Sequence, residues 1–360
     1  MKASNVAMTG ALAGLGLIAA YATWQRPKES ASSSTTIKVL EASKQSLESL
    51  KYEDGQRFLT LKRVEGQLWL TSGWIPGKEP GPADAGPGTT LVALDGGLLP
   101  DGGAVDAGVI EVAVTPAKPP PPPTREVLAN ERAENALAKF MPLEATRALG
   151  SLSDEKLAEL GLAGTDRRLE LIVASTARVY RVAKTLPGIF GTYLQDERSG
   201  DVYLLSGSLF ADFDPQSQVL VDRRLHVFKQ SEFDRFTVNA DGKEAVFLQT
   251  NAEIPSTAKV ARAATPDKPD ELVKNWHDKV WGRLIVTEVL GKGELPAGKA
   301  PTVALRLDYS QKGKPKGFLE LGIGEGGAMW ARSENTASWV AVHQGTDEIV
   351  IEAKKLVLEQ

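Results

Sequence analysis

The residues Gly191 to Ser206 and Ala328 to His343 spell the same β-hairpin twice. Tyr193-Leu194-Gln195 answers Trp330-Ala331-Arg332, and Val202-Tyr203-Leu204-Leu205 answers Trp339-Val340-Ala341-Val342, at a constant offset of 137 residues. The turns between them, Asp196 to Asp201 and Ser333 to Ser338, correspond without a gap. An echo of that kind means that one scaffold is written out twice along the chain.

The echo extends to both sides of the hairpin. Leu47-x-x-Leu50-x-Tyr52 returns as Phe233-x-x-Phe236-x-Val238 at an offset of 186, and Thr146 with Leu149-Gly150 returns as Thr287 with Leu290-Gly291 at 141. The two offsets differ by 45 residues, about the length of the Gly, Pro, Ala and Asp segment Gly77 to Pro123, which ends in five consecutive prolines. That segment is read as an insertion into the first copy. Nothing in it builds a core alone, although Thr90 to Leu94 and Val109 to Val114 have the composition of a marginal hairpin. Pro116 to Pro123 reads as a polyproline II spacer, with a ligand for an aromatic groove as the alternative.

Period-two alternation and turn dipeptides predict strands at Ile37 to Leu40, Leu47 to Tyr52, Arg57 to Val64 and Gln67 to Thr71. Asp54-Gly55, Glu65-Gly66 and Asp241-Gly242 serve as hairpin turns. Helices are expected from Arg125 to Phe140 behind Thr124, from Ser153 to Leu160 and from Asp270 to Trp281. Closing helices are expected at Ser208 to Phe213 and Thr346 to Leu356. Leu143 to Leu149, Leu284 to Leu290, Leu169-x-Leu171-x-Val173, Val303-x-Leu305-x-Leu307-x-Tyr309, Arg178 to Ala183 and Phe318 to Ile323 supply further strands. The expected class is therefore α+β: an N-terminal transmembrane helix followed by two related antiparallel-sheet-plus-helix domains. The expected divisions are an anchor at 1–27, a Ser/Thr-rich tether at 28–36, a first repeat at 37–222 with the insert 77–123, and a second repeat at 223–360.

The anchor rests on Ala3 to Gln25, which carries no charge, and on Arg26-Pro27-Lys28 behind it. A helix of that length nearly spans the ~30 Å hydrocarbon core, and Tyr21 and Trp24 sit where an interfacial aromatic belt lies. Ala20-Tyr21-Ala22 also has the small-x-small form of a signal-peptide cleavage site. Gly10 and Gly14 make a GxxxG step, a candidate contact to another membrane helix, against the simpler reading that small residues are frequent in this run. The positive charges after the run favour a cytoplasmic body, whereas a short tail before a first apolar segment is the layout of an exported signal-anchor protein. The expectation adopted is a body outside the cytoplasmic membrane.

With a formal charge of −4 and no long basic stripe, nucleic acid is disfavoured and is not expected as a partner. The absence of cysteine rules out disulfides, thiolate metal sites and cysteine nucleophiles. His226, His277 and His343 fall in different elements at no metal spacing, and no GxSxG elbow is present. Gly322 to Gly327 fits GxGxxG, but the repeated strand follows it where a dinucleotide site needs a helix. No catalytic, cofactor or metal residue is assigned. Lys312, Lys314 and Lys316 form the densest basic cluster, a candidate surface contact to phosphate headgroups or an acidic partner; a solvated hairpin turn is the simpler reading.

The anchor ending in an aromatic and Arg-Pro, the Asp-Gly hairpin, the Leu-Gly strand end and Asp222-Arg223-Arg224-Leu225 before the second meander together resemble a bacterial group. It is the uncharacterised DUF-type repeat proteins that accompany ABC transporters of the gliding-motility kind. The resemblance implies a membrane-tethered, non-enzymatic accessory subunit that meets the bilayer and the permease subunits of an ABC transporter, with no cofactor. An envelope hydrolase or ligand-binding enzyme is the alternative. The Pro/Gly insert departs from that pattern.

Overall fold

The computed structural model of the protein describes residues 36–78, 123–184, 191–207, 209–215, 218–254, 257–343 and 345–358. In the first repeat, β2 (Leu47–Glu53), β3 (Arg57–Val64), β4 (Gln67–Trp74) and β5 (Arg125–Leu128) form half of a nine-stranded sheet. The other half is β7 (Arg147–Ser151), β8 (Arg168–Val173), β9 (Thr176–Val182), β10 (Thr192–Asp196) and β11 (Asp201–Leu205). The order is β5-β4-β3-β2-β8-β9-β10-β11-β7, with every pair antiparallel. Alternate residues such as Leu59, Leu61, Leu169, Leu171, Tyr180 and Val182 are buried in one cluster, because side chains two apart share a face.

That face is closed by α1 (Glu131–Ala138), by a small sheet of β1 (Ile37–Leu40) with β6 (Leu143–Ala145), and by Leu209, Phe213 and Leu220. Phe140 meets Phe213 edge to face at 5.2 Å beside Tyr52, so aromatic packing fastens the cover to the sheet. A short helix, α2 (Asp154–Glu159), places Leu157 on a separate small cluster with Val202 and Ala183.

In the second repeat, β12 (Arg235–Ala240), β13 (Lys243–Thr250) and β14 (Lys259–Arg262) lead into α3 (Glu271–Arg283) and β15 (Val286–Val289). β16 (Thr302–Gln311), β17 (Lys314–Ile323), β18 (Met329–Ser333), β19 (Val340–Val342) and α4 (Asp347–Leu358) follow. The sheet order is β14-β13-β12-β16-β17-β18-β19-β15. Asp270 caps α3 by accepting from the amides of Leu272 and Val273. Val273, Trp276 and Val280 of α3, with Ile349, Val350 and Ala353 of α4, bury the inner face of this sheet.

Without β5, the first sheet reads strand for strand like the second. Leu50 faces Leu61 as Phe236 faces Phe247, and Tyr193 faces Leu204 as Trp330 faces Ala341. The Thr146 hydroxyl donates to Leu204 O at 2.9 Å, and Thr287 donates to Ala341 O at 3.2 Å. Each threonine lies where its strand breaks step, between β6 and β7 or at the irregularity in β15.

The α+β expectation is corrected: the described chain is mostly antiparallel β, with three sheets and few helices. Arg125 to Leu128, expected within a helix, is the edge strand β5, because its backbone satisfies the open groups of β4 from Trp69 to Ser72. The helix starts only after Asn130, whose side chain accepts from Ala133 N. The segment expected as a helix at Ser208 to Phe213 runs through turns from 209 to 212, since Gly207 and Pro215 bracket too few residues to nucleate one. The transmembrane helix expected over Ala3 to Gln25, with Gly10 and Gly14, lies outside the described residues, as does the insert from 79 to 122. No helix among the described residues is long and apolar enough to cross a membrane.

Candidate functional site at the repeat junction

Asp222-Arg223-Arg224-Leu225 carries the chain from one repeat to the other. Val221 bridges to Ala129, and Asn130 Nδ2 donates to Val219 O and Val221 O at 2.8 and 3.0 Å. The buried Asp222 carboxylate accepts from Arg224 Nη2 at 2.7 Å and from Arg224 N at 2.9 Å. Burial alone would raise that carboxyl, but the side-chain and backbone hydrogen bonds of Arg224 hold it below the usual carboxylate range. Asn335, on the turn after β18, donates to Arg224 O at 2.8 Å, and the Ser333 hydroxyl donates to Leu225 O. The acidic-basic motif therefore works as a tie between linker and second sheet.

The outer edge of β5 faces the end of β15. Lys292 N donates to Glu126 O at 2.7 Å, Lys292 Nζ lies 4.8 Å from the Trp69 ring centre, and Arg125 reaches Glu288 at 3.0 Å and Glu294 at 3.1 Å. Beside these contacts is a cavity of about 130 Å³ walled by Arg57, Trp74, Arg125, Val127, Val221 and Val289. Arg57 is the direct cross-strand partner of Trp74, so its guanidinium lies 4.1 Å from the indole centre. Arg57 Nε and Trp74 Nε1 are screened from solvent and have no hydrogen-bond acceptor among the described residues. An unsatisfied buried donor costs about 1–3 kcal/mol, more if charged. Sequence reasoning did not single out these residues, although counting outward from the Glu65-Gly66 turn already sets Arg57 opposite Trp74.

A second cluster lies in the core of the second repeat. His226 Nδ1 is 3.0 Å from Glu334 Oε1, and Glu334 Oε2 accepts from Phe318 N at 3.0 Å. Gly317 makes this possible, since a Cβ there would stand 2.4 Å from Glu334 Oε2. The corresponding Glu197 of the first repeat instead pairs with Arg168 and Arg181. His226 stacks on Trp281 at 4.9 Å, and both line a cavity of about 280 Å³ with Arg223, Arg224, Leu225 and Leu284. Trp281 Nε1 donates to His277 Nε2 at 3.1 Å, which places the acceptor tautomer against the indole. Burial pushes the His277 imidazole down to about 3 and the Tyr309 phenol up. The pairing of His226 with Glu334 has the form of an oriented base.

Lys312, Lys314 and Lys316 stand at the β16–β17 turn, where Lys312 and Gly313 take positive φ of 49° and 75°. Lys312 N donates to Asp234 Oδ2, but none of the three side chains forms an ion pair with another described residue. The matching turn of the first repeat, Ala174-Ser175, carries no lysine. The GxGxxG stretch ends β17 and leads into β18, a strand rather than a helix. Among the described residues no group of three or more acidic or imidazole side chains could hold a metal ion. The chain matches no protein-family model, no curated protein and no solved structure.

Proposed function

We propose that this chain is a non-enzymatic interaction module, held at the cytoplasmic membrane through its apolar N-terminal run with its body on the extracytoplasmic side, accessory to an ABC-type transport system. The observation that carries the reading is the pair of sheets with one strand order in a single chain. Two like surfaces on one tether raise the effective concentration of each for a partner with paired halves, which an ABC permease has. Lys312, Lys314 and Lys316, whose side chains form no ion pair with another described residue, add a contact at the β16–β17 turn that the matching turn of the first repeat lacks. The resemblance to the gliding-motility accessory proteins points to the same partner.

The chain has no cysteine, so single cysteines at Gly14 and Lys312 are unique crosslinking sites in the intact protein. In native membranes both are expected to capture permease subunits. Self-crosslinks or lipid adducts alone at both sites would remove the reading. The alternative, an envelope hydrolase, is favoured only by the His226–Glu334 pair at its cavity. Hydrolysis of an envelope polymer by the purified protein, lost in His226→Gln, would put that alternative in its place.

A further inference from the structure

We infer that the junction cavity is a binding site for a small monocarboxylate, held by Arg57 and Trp74. Two N–H donors without acceptors belong to side chains that wall one cavity. Arg57 Nε and Trp74 Nε1 sit on side chains stacked 4.1 Å apart, both line the same cavity, and neither has a hydrogen-bond acceptor among the described residues. A carboxylate offers two oxygens in one plane and supplies charge as well as acceptors. The Arg57 side chain makes no ion pair with another described residue, whereas Arg125 across the cavity is matched by Glu288 and Glu294. Arg57 is thus the guanidinium of the cavity wall that has no carboxylate partner among the described residues.

That charge count selects the ligand. A single negative charge neutralises Arg57, while a second would face Glu288 and Glu294 beyond Arg125, so a phosphate dianion is disfavoured. Val127, Val221, Val289, Pro123 and Pro215 supply an apolar wall against which a short carbon chain gains contact. About 130 Å³ leaves room for a molecule of several heavy atoms, on the scale of acetate or propionate. The site goes beyond the accessory role proposed above, and its test does not depend on the membrane partner.

The test is a titration of the full-length protein in mild detergent, following the indole N–H resonance of Trp74 at pH 7 and constant ionic strength; Trp74→Phe identifies that resonance. Acetate and propionate should shift it saturably, and chloride and neutral acetamide should not. Arg57→Gln should weaken acetate binding about tenfold or more, the loss of one charge-assisted hydrogen bond. Arg57→Lys, which keeps the charge but not the Nε–H, should fall between. Were either Arg57 variant to misfold, calorimetric titration of Trp74→Phe with acetate serves instead, with weakened binding expected. No saturable shift, an equal shift with acetamide, binding unchanged in these variants, or tighter binding of inorganic phosphate would each overturn the assignment.

Discussion

His277 is fully buried, stacked 4.4 Å from Phe236, with its Nε2 accepting from Trp281, so protonating it places a cation in an aromatic core. Desolvation holds its folded pKa down at about 3, against about 6.5 in the unfolded chain. Between those values the unfolded state binds the extra proton, so this residue's contribution to stability is present above pH 6.5 and is lost as pH falls toward 3. From pH 7 to pH 5 the expected loss is about 2 kcal/mol, measurable by urea unfolding. His277→Phe should flatten that pH dependence while costing about 1 kcal/mol at pH 7, because the Trp281 indole loses its acceptor. A dependence unchanged in His277→Phe would place the titration elsewhere. At Gly322 an added Cβ would stand 2.7 Å from Pro301 and 3.1 Å from the Trp339 ring. Gly322→Ala should therefore cost about 1–3 kcal/mol by thermal unfolding, and Gly282→Ala gives the contrast of a helix glycine whose Cβ meets nothing and whose φ is not positive. The sequence marked Gly322 only as part of a dinucleotide-like string. Its packing role depends on Pro301 and Trp339, which no local spacing brings together.

Among elements, the sheet strands were the most legible, because inward residues recur every second position and again 186 or 137 residues later. The turns were less so. Glu53 pairs with Phe58 and Asn239 with Glu244, so Gly55-Gln56 corresponds to Asp241-Gly242, and the two Asp-Gly dipeptides lie one residue out of step. β5 was misread because its helical composition yields to a sheet edge that local propensity does not see. Its pairing settles how the insert is anchored. Ser72 lies directly opposite Arg125, so the strands flanking residues 79 to 122 are antiparallel neighbours that a short turn can join. Replacing those residues with a five-residue Gly-containing turn should keep the fold. It should raise stability by about 1 kcal/mol, the closure entropy of roughly two halvings of loop length. Far-UV circular dichroism and urea unfolding check this; a cooperative loss of structure would mean that the insert packs into the first repeat.

At the scale of the molecule, the question is whether the two repeats unfold as one. Among the described residues the contacts that join them are one backbone hydrogen bond from Lys292 to Glu126, Arg125 with its two glutamates, Lys292 over Trp69, Asn335 with Asp222, and Val289 packed on the first core. At about 0.5–1 kcal/mol each the five polar contacts sum to roughly 2.5–5 kcal/mol, at or below the low end of the 5–15 kcal/mol typical of a domain. The sequence showed the duplication but none of these links, since each joins residues from opposite copies. Acid separates the repeats without mutation. His277 packs on Phe233, Phe236 and Tyr309 of the second repeat, while Asp212 of the first, held low by Arg132 and Lys139, loses its contribution only as pH falls below about 4. Scanning calorimetry should therefore show two overlapping transitions at pH 7. At pH 5 one of them should fall by about 5–10 °C while the other stays in place. Arg125→Met, which removes both ion pairs, should widen the gap at pH 7. A single transition moving as a unit at both pH values, with calorimetric and van't Hoff enthalpies equal, would mean that the junction binds the repeats more tightly than its contacts account for.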